Sequence, residues 1–329
     1  MSVATPANTH PKQAAVIFNP IKVDLPKLKK AVNAAAKKAG WESTIWFPTT
    51  EVDAGQRVAA SAIRRGAQVV LVAGGDGTVR AVAEGLRDSD VAMAVLPSGT
   101  GNILARNLDL PLNNLDDAIE IAFHGANRDI DLGIAAITRG DGERSEHVFL
   151  VMAGLGIDAK MIANTRSELK KAVGWLAYID GTIRSIPSLE PVHLRYSRDH
   201  GPERRIDVHS IMIGNCGTLP GNILLIPHAR PDDGLLDIVA LRPQGPFGWL
   251  RVWNKIAWEN GVLRKSAVGR KIIDLSKDVK DVTYWRAEDL SLWVTSPQEF
   301  QLDGDEFGEA THAHTWVDAG ALTVRVAVA

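Results

Sequence analysis

Three apolar runs, AAVIFN at 14–19, QVVLVA at 68–73 and VAMAVLP at 91–97, most constrain the fold of this chain. Each is too short to cross a bilayer and too continuous for a strand with one wet face. Such runs are strands buried on both sides. Between them lie LPKLKKAVNAAAKKAG (25–40) and AGQRVAASAIRRG (54–66), amphipathic helical patterns that each stop at a glycine. STIWFPT (43–49) adds a strand and VRAVAEGLR (79–87) a helix. Strands that alternate with helices predict a parallel sheet covered by helices on both faces.

After about Asp131 the pattern changes. HVFLVMAG, PVHLRYS, RRIDVHSIMIGN, GLLDIVALR, DLSLWVT, EFQLDGD and ALTVRVAVA read as short strands. RGDGERSE (139–146) and SRDHGPERR (197–205) read as hairpin loops, and helical stretches interrupt only near 158–186 and 246–265. The expected organisation is a polar, disordered leader over 1–13, an α/β domain over 14–132, and a mainly antiparallel β domain over 133–329.

Composition excludes several classes. A net charge of −2 over 329 residues supplies no global field for nucleic acid. A single cysteine, Cys216, rules out an internal disulfide and a cysteine-based zinc cluster, and its strand-like setting predicts a packed thiol. There is no hydrophobic signal core at the N-terminus and no apolar run long enough to span a membrane, so a cytoplasmic protein is expected, touching a membrane only from one side.

Two glycine-rich turns carry the chemistry. Gly74-Gly75-Asp76-Gly77-Thr78 follows a strand and precedes a helix, and LPSGTGNILARNL (96–108) does the same one strand later, with Thr100 and Asn102 where a nucleotide would lie. Glycines let a ligand approach the backbone, and a helix start points N–H groups and a positive dipole end at an anion. Asp76 stands in the middle of this cradle. Two readings of it are open: it handles the cation of a metal–nucleotide complex, or it caps a tight turn locally. No P-loop or dinucleotide fingerprint is present.

GGDGT, LPSGTGN, AGLGIDA (153–159), GNCGTLPGNILLIPHARPDDGLLDIVAL (214–241) and LDGD (302–305) together resemble the diacylglycerol kinase catalytic family. The chain is most similar to its soluble bacterial lipid kinases, which also resemble sphingosine and ceramide kinases. The resemblance implies an NAD kinase/diacylglycerol kinase-like α/β domain that binds ATP and a C-terminal β-sandwich that binds lipid. By position, Gly75, Asp76, Gly77 and Thr78 match the nucleotide loop and Thr100 a nucleotide-contacting threonine. Asn19-Pro20 matches the Asn-Pro after the first strand, and Thr50 a further nucleotide contact. Asp303 and Asp305 fall on an Asp-Gly-Glu motif that holds the catalytic base. Asp233, with the carbonyls of Arg230 and Leu235, matches a structural Mg²⁺ site. The implied partners are ATP, Mg²⁺, a diacylglycerol-like lipid and a transient membrane surface, and a homodimer is compatible with the pattern.

The chain departs from the family pattern at three places. Ile103 stands where many members carry an acid, a lysine is absent from its usual place in Ile21-Lys22-Val23-Asp24, and Asp305 replaces a glutamate. A soluble acceptor such as NAD, or a non-catalytic nucleotide- or lipid-binding role, are the alternative readings. Two stretches, 170–187 and the Trp-rich basic 246–265, read either as core helices or as lipid- and membrane-facing ones. Asp237, alternating with apolar neighbours, is expected to face solvent. His312 and His314 share one face of a strand and are expected at the surface.

Overall fold

The computed structural model describes residues 11–156, 191–219, 223–226, 228–243, 248 and 281–328. Apart from Gly248, the two expected long helical stretches lie outside these residues, as does most of the leader. The chain divides into two compact units, one of residues 1–129 with 322–329 and one of residues 130–321.

The first unit is built from β1 (Ala14–Phe18), α1 (Leu25–Lys38), β2 (Ile45–Pro48), α2 (Gln56–Arg64), β3 (Val69–Gly74), α3 (Asp76–Leu86), β4 (Ala92–Pro97), α4 (Ile103–Asn107) and α5 (Leu115–His124). The strands are parallel in the order β2-β1-β3-β4. Every residue of β1 and β3 is buried, as their unbroken apolar runs require. Val16, Leu71 and Ala94 meet Leu28, Val32 and Ala36 of α1 and Ile119 and Phe123 of α5 in one core. Asp24 caps α1 by accepting from Lys27 N at 3.1 Å. Asn114 caps α5 through the amides of Asp116 and Asp117. The α5 signal stood in the sequence as an Asn cap, two acids in the first turn and a closing Gly125.

α3 starts at Asp76, three residues before the predicted start. Gly75 is its N-cap, so most of the GGDGT segment is the first helical turn rather than a free loop.

The second unit contains β5 (Ala126–Thr138), whose first residues belong to the other unit, then β6 (Arg144–Phe149), β7 (Met152–Gly156), β8 (Val192–Arg198), β9 (Arg204–Val208), β10 (Ser210–Gly214), β11 (Thr218–Leu219), β12 (Ile223–Leu224), β13 (Leu236–Leu241), β14 (Val282–Ala287), β15 (Asp289–Leu302) and β16 (Asp305–Val326). The pairs β5–β6, β8–β9, β7–β10, β10–β13, β13–β14, β15–β8, β15–β7 and β15–β16 are all antiparallel. Phe149, Ile211, Ile238, Leu290 and Phe300 form the centre of its core. The last residues of β16 group with the first unit, where Val324 pairs in parallel with Met93 of β4.

Candidate functional site

The parallel strands of the first unit end in register along one edge: Phe18 lies opposite Pro48 and Ala73, and Gly74 opposite Pro97. The chain leaves β1 for β2 on one side and continues to β3 on the other. The carboxyl ends of β1 and β3 therefore form a topological switch point, where open α/β sheets bind ligands. All the nucleotide-contact candidates follow directly on these ends: Asn19 and Pro20 after β1, Thr50 after β2, Gly74 to Thr78 at β3, and Thr100 and Asn102 after β4.

Asn19 anchors the first of these turns. Its amide donates to Ala73 O at 2.9 Å and its Oδ1 accepts from Ile21 N at 3.0 Å. Pro20 is exposed beside it. Thr50 closes a local turn, its Oγ1 accepting from Asp53 N at 3.0 Å.

The two glycine-rich turns are locked together by Asp76. Its Oδ2 accepts from Asn102 N at 3.0 Å and its Oδ1 from Ile103 N at 2.6 Å. Asn102 is the N-cap of α4 in the left-handed region (φ 47°), and its side chain makes no cap bond there. The cap of α4 comes from Asp76 across the space between the turns. The side chain of Asn102 clasps Gly99 instead, accepting from its N at 3.1 Å and donating to its O at 2.9 Å. Arg106 Nε closes the turn onto Gly101 O at 2.7 Å. Glycine is required at two of these positions by close approach. A Cβ on Gly99 would stand 2.8 Å from Gly75 Cα, and one on Gly101 would stand 2.4 Å from Asp76 Oδ2.

This geometry suits a phosphate. The N-cap of α3 is Gly75, which has no side chain, so the start of the helix at the strand end presents backbone and the positive end of its dipole. The negative charge of Asp76 is directed to amides of the neighbouring turn, which answers the electrostatic conflict of an acid in an anion cradle. Thr100 is exposed at the tip of the second turn. Thr78 is buried, its side chain packed so closely beneath Gly74 that a Cβ there would meet it at 2.6 Å. Ile103, in place of the family acid, is buried.

In the second unit the two acids of LDGD differ sharply. Asp303 (φ 52°) and Gly304 (φ 89°) form the two-residue turn that joins β15 to β16, with both central residues left-handed. Asp303 is 8% exposed, and its carboxylate accepts three backbone amides, Leu150 at 2.9 Å, Val151 at 2.8 Å and Met152 at 3.0 Å. Asp305 is exposed.

The loop before β13 holds the expected metal residues. Gly234 is left-handed (φ 72°), and Asp233 Oδ1 accepts from Leu235 N at 3.3 Å. Arg230 Nε lies 3.7 Å from Asp232. The organiser of this loop is Asp131, which sequence reasoning missed. Buried to 3% exposure, it accepts from Gly234 N at 2.7 Å and Gly320 N at 2.8 Å, and its own amide donates to Pro231 O at 2.6 Å. Its partners lie up to 189 residues away, so no local pattern marks it.

Asp237 corrects an expectation. It is buried, not solvent-facing, with Arg286 Nε donating to its Oδ1 at 2.9 Å. Burial raises its pKa; the charge and hydrogen bond of Arg286 oppose this, the charge of Asp233 adds to it and that of His228 lowers it. Its Oδ2 is buried without a hydrogen-bond partner. Asp233 and the main-chain oxygens of Arg230 and Leu235 stand in this loop before β13, where the expected cation would be held. Among the described residues no group of three or more His, Cys, Asp or Glu is placed to hold a metal ion, so such a site depends on main-chain oxygens. Cys216 is buried, as its setting predicted.

Residues 13–135 match the family model of the diacylglycerol kinase catalytic domain, and residues 150–270 that of the YegS C-terminal NAD kinase beta sandwich-like domain. A Pseudomonas aeruginosa PAO1 protein named "Probable lipid kinase YegS-like" is 34% identical over 227 residues, covering 67% of this chain and 70% of that protein. A protein of the same name from Pseudomonas fluorescens Pf0-1 is 33% identical, over 68% and 71%. A Mycobacterium tuberculosis protein named "Diacylglycerol kinase" is 29% identical, over 60% and 62%. In fold, the chain is similar to a diacylglycerol kinase structure from Bacillus anthracis str. Sterne, with TM-score 0.66 and 20% identity over 96% of this chain and 97% of that one. The fold is thus an α/β domain with parallel strands and a C-terminal β-sandwich domain.

Proposed function

Because the chain belongs to the family of YegS-like and diacylglycerol kinase-like lipid kinases, we propose that it transfers the γ-phosphoryl group of ATP, with Mg²⁺, to a hydroxyl of diacylglycerol or a related lipid. The observation that carries this reading is the pair of glycine-rich turns at the carboxyl edge of the sheet, locked by Asp76.

Phosphoryl transfer asks mainly for positioning and charge stabilisation. The first-turn amides of α3, at Asp76, Gly77 and Thr78, hold the phosphates. Asp76 fixes the second turn against the first, which keeps Thr100 at the nucleotide, while the bond from the Asn19 amide to Ala73 O keeps Asn19 there. Asn102 and Arg106 hold the second turn rigid from behind. Mg²⁺ on the triphosphate supplies neutralisation of the charge that the transferred group carries.

Asp305 accepts the proton of the lipid hydroxyl. Its exposure suits it to meet a substrate, whereas the oxygens of Asp303 are committed to three amides. Asp303 is then a positioning residue that holds the hairpin tip. A cation at Asp233 and the carbonyls of Arg230 and Leu235 would order that loop rather than join the transfer.

The test is transfer of labelled phosphate from ATP into extracted lipid, with a panel of diacylglycerols, ceramide and sphingosine, and with NAD as a soluble acceptor. Label is expected in a lipid and is abolished by chelation. Asp305→Asn should lower turnover about 10²- to 10⁴-fold, and Asp76→Ala by a similar order. Label in NAD alone, or nucleotide binding without transfer, overturns the reading.

A further inference from the structure

The first unit carries a second ligand-like feature at the opposite end of its sheet. Before the amino end of β2 lies a pocket of about 460 Å³. One stripe of α1, Lys29, Asn33 and Lys37 at successive turns, forms one wall, and Trp41, Thr44 and Trp46 form the other, with exposed Glu42 as the single acid of the lining. Among the described residues β2 pairs with β1 alone and is the edge strand of the unit.

The rings and the lysines are interleaved. Lys29 Nζ stands 5.5 Å from the centroid of Trp46, and Lys12 Nζ 5.8 Å from that of Trp41. Each Trp is half-buried, its inner edge packed on Phe18 or Phe123. The surrounding surface is strongly basic. Residues 11–48 carry seven lysines, all exposed, against Asp24 and Glu42, in a chain whose net charge is −2. Five of these lysines lie on α1, which has no acid along its length.

We infer that this face of α1 and the amino end of β2 is the surface by which the protein docks on an anionic bilayer, with a phosphate headgroup entering the pocket between Lys29 and Lys37. Charge complementarity selects the occupant. Exposed lysines clustered beside half-buried tryptophans match an interface of anionic headgroups over apolar chains. Docking here leaves the glycine-rich turns, at the carboxyl edge, uncovered. The purpose of the docking rests on the lipid-kinase reading; the binding itself does not.

The test is co-sedimentation of the full chain with vesicles of phosphatidylcholine alone or with one part in three of phosphatidylglycerol. Wild type should bind the anionic vesicles only, and lose binding as salt rises from about 0.1 to about 0.5 M. Each lysine near such a surface changes partitioning by about fivefold, so Lys29→Gln/Lys30→Gln/Lys37→Gln together should weaken it about a hundredfold. The same variant should phosphorylate a short-chain, water-soluble diacylglycerol at the wild-type rate. Wild-type partitioning by the variant, equal binding to neutral vesicles, or loss instead on Arg251→Gln/Lys255→Gln would overturn the assignment. Full competition by free glycerol phosphate would also overturn it, in favour of a soluble ligand. If no lipid accepts phosphate, the kinase reading fails while sedimentation still decides the docking.

Discussion

Asp76, Asp131 and Asp303 do one job in three places. Each directs its carboxylate at backbone amides that lie far along the chain, at separations of 26, 103 and 153 residues for one bond of each. A carboxylate serves here because both of its oxygens accept, so one side chain can take several N–H groups. Asparagine of the same shape would turn an N–H donor toward an amide that needs an acceptor. Asp303→Asn is therefore expected to cost about 3 kcal/mol in urea denaturation, since buried amides lose their partner. Asp305→Asn, exposed at the same hairpin, should stay within about 0.5 kcal/mol of wild type while losing turnover. Equal stability losses in the two variants would contradict the division of roles between them.

At the scale of elements, β16 shows how two histidines on one strand face acquire different surroundings. His314 Nε2 lies 2.5 Å from Asp289 Oδ2. His312 instead stacks on Trp293, with centroids 4.9 Å apart and planes at 15°, and its Nε2 is buried without a hydrogen-bond partner. The expectation of two surface histidines thus holds for neither side chain in full, because the register of β15 sets Trp293 opposite His312. Burial, with the charges of His314 and Arg144, lowers the pKa of His312 below 6.5. The unfolded chain then binds the proton more readily than the folded one. Stability from this group is complete above pH 6.5 and declines as pH falls from there through the lowered folded value. His312→Phe, which keeps the stack but cannot titrate, should flatten that part of the pH–stability curve measured by thermal melting. An unchanged acid slope would show that His312 does not contribute.

At the scale of the whole molecule, the C-terminal segment belongs to the first unit although it follows the second in sequence. Leu322 and Val324 are buried there. Deleting 322–329 removes two buried apolar side chains, worth about 3–5 kcal/mol together. The midpoint of urea unfolding should fall accordingly, and nucleotide affinity with it, because Met93, the partner of Val324, lies on the strand that leads into the second glycine-rich turn. A truncated chain as stable as the full one would place no weight on that pairing. Among the described residues, no helix is long and apolar enough to cross a membrane.

What the amino-acid sequence determined by itself was local or periodic. The buried strands β1, β3 and β4 show as unbroken apolar runs, α1 and α2 as amphipathic stretches ended by glycine, and the two glycine-rich turns as breaks between strand and helix. Burial on two faces, helical periodicity and backbone freedom are properties of neighbouring residues, so adjacent letters carry them. Only the tertiary structure decided that Asp76 caps a helix on another turn, that Asp131 ties Gly234 to Gly320, that Asp237 is buried against Arg286, and which acid of LDGD is caged. Those facts depend on which distant amides and charges the fold brings within 3 Å of a carboxylate, and sequence separation carries no record of that distance.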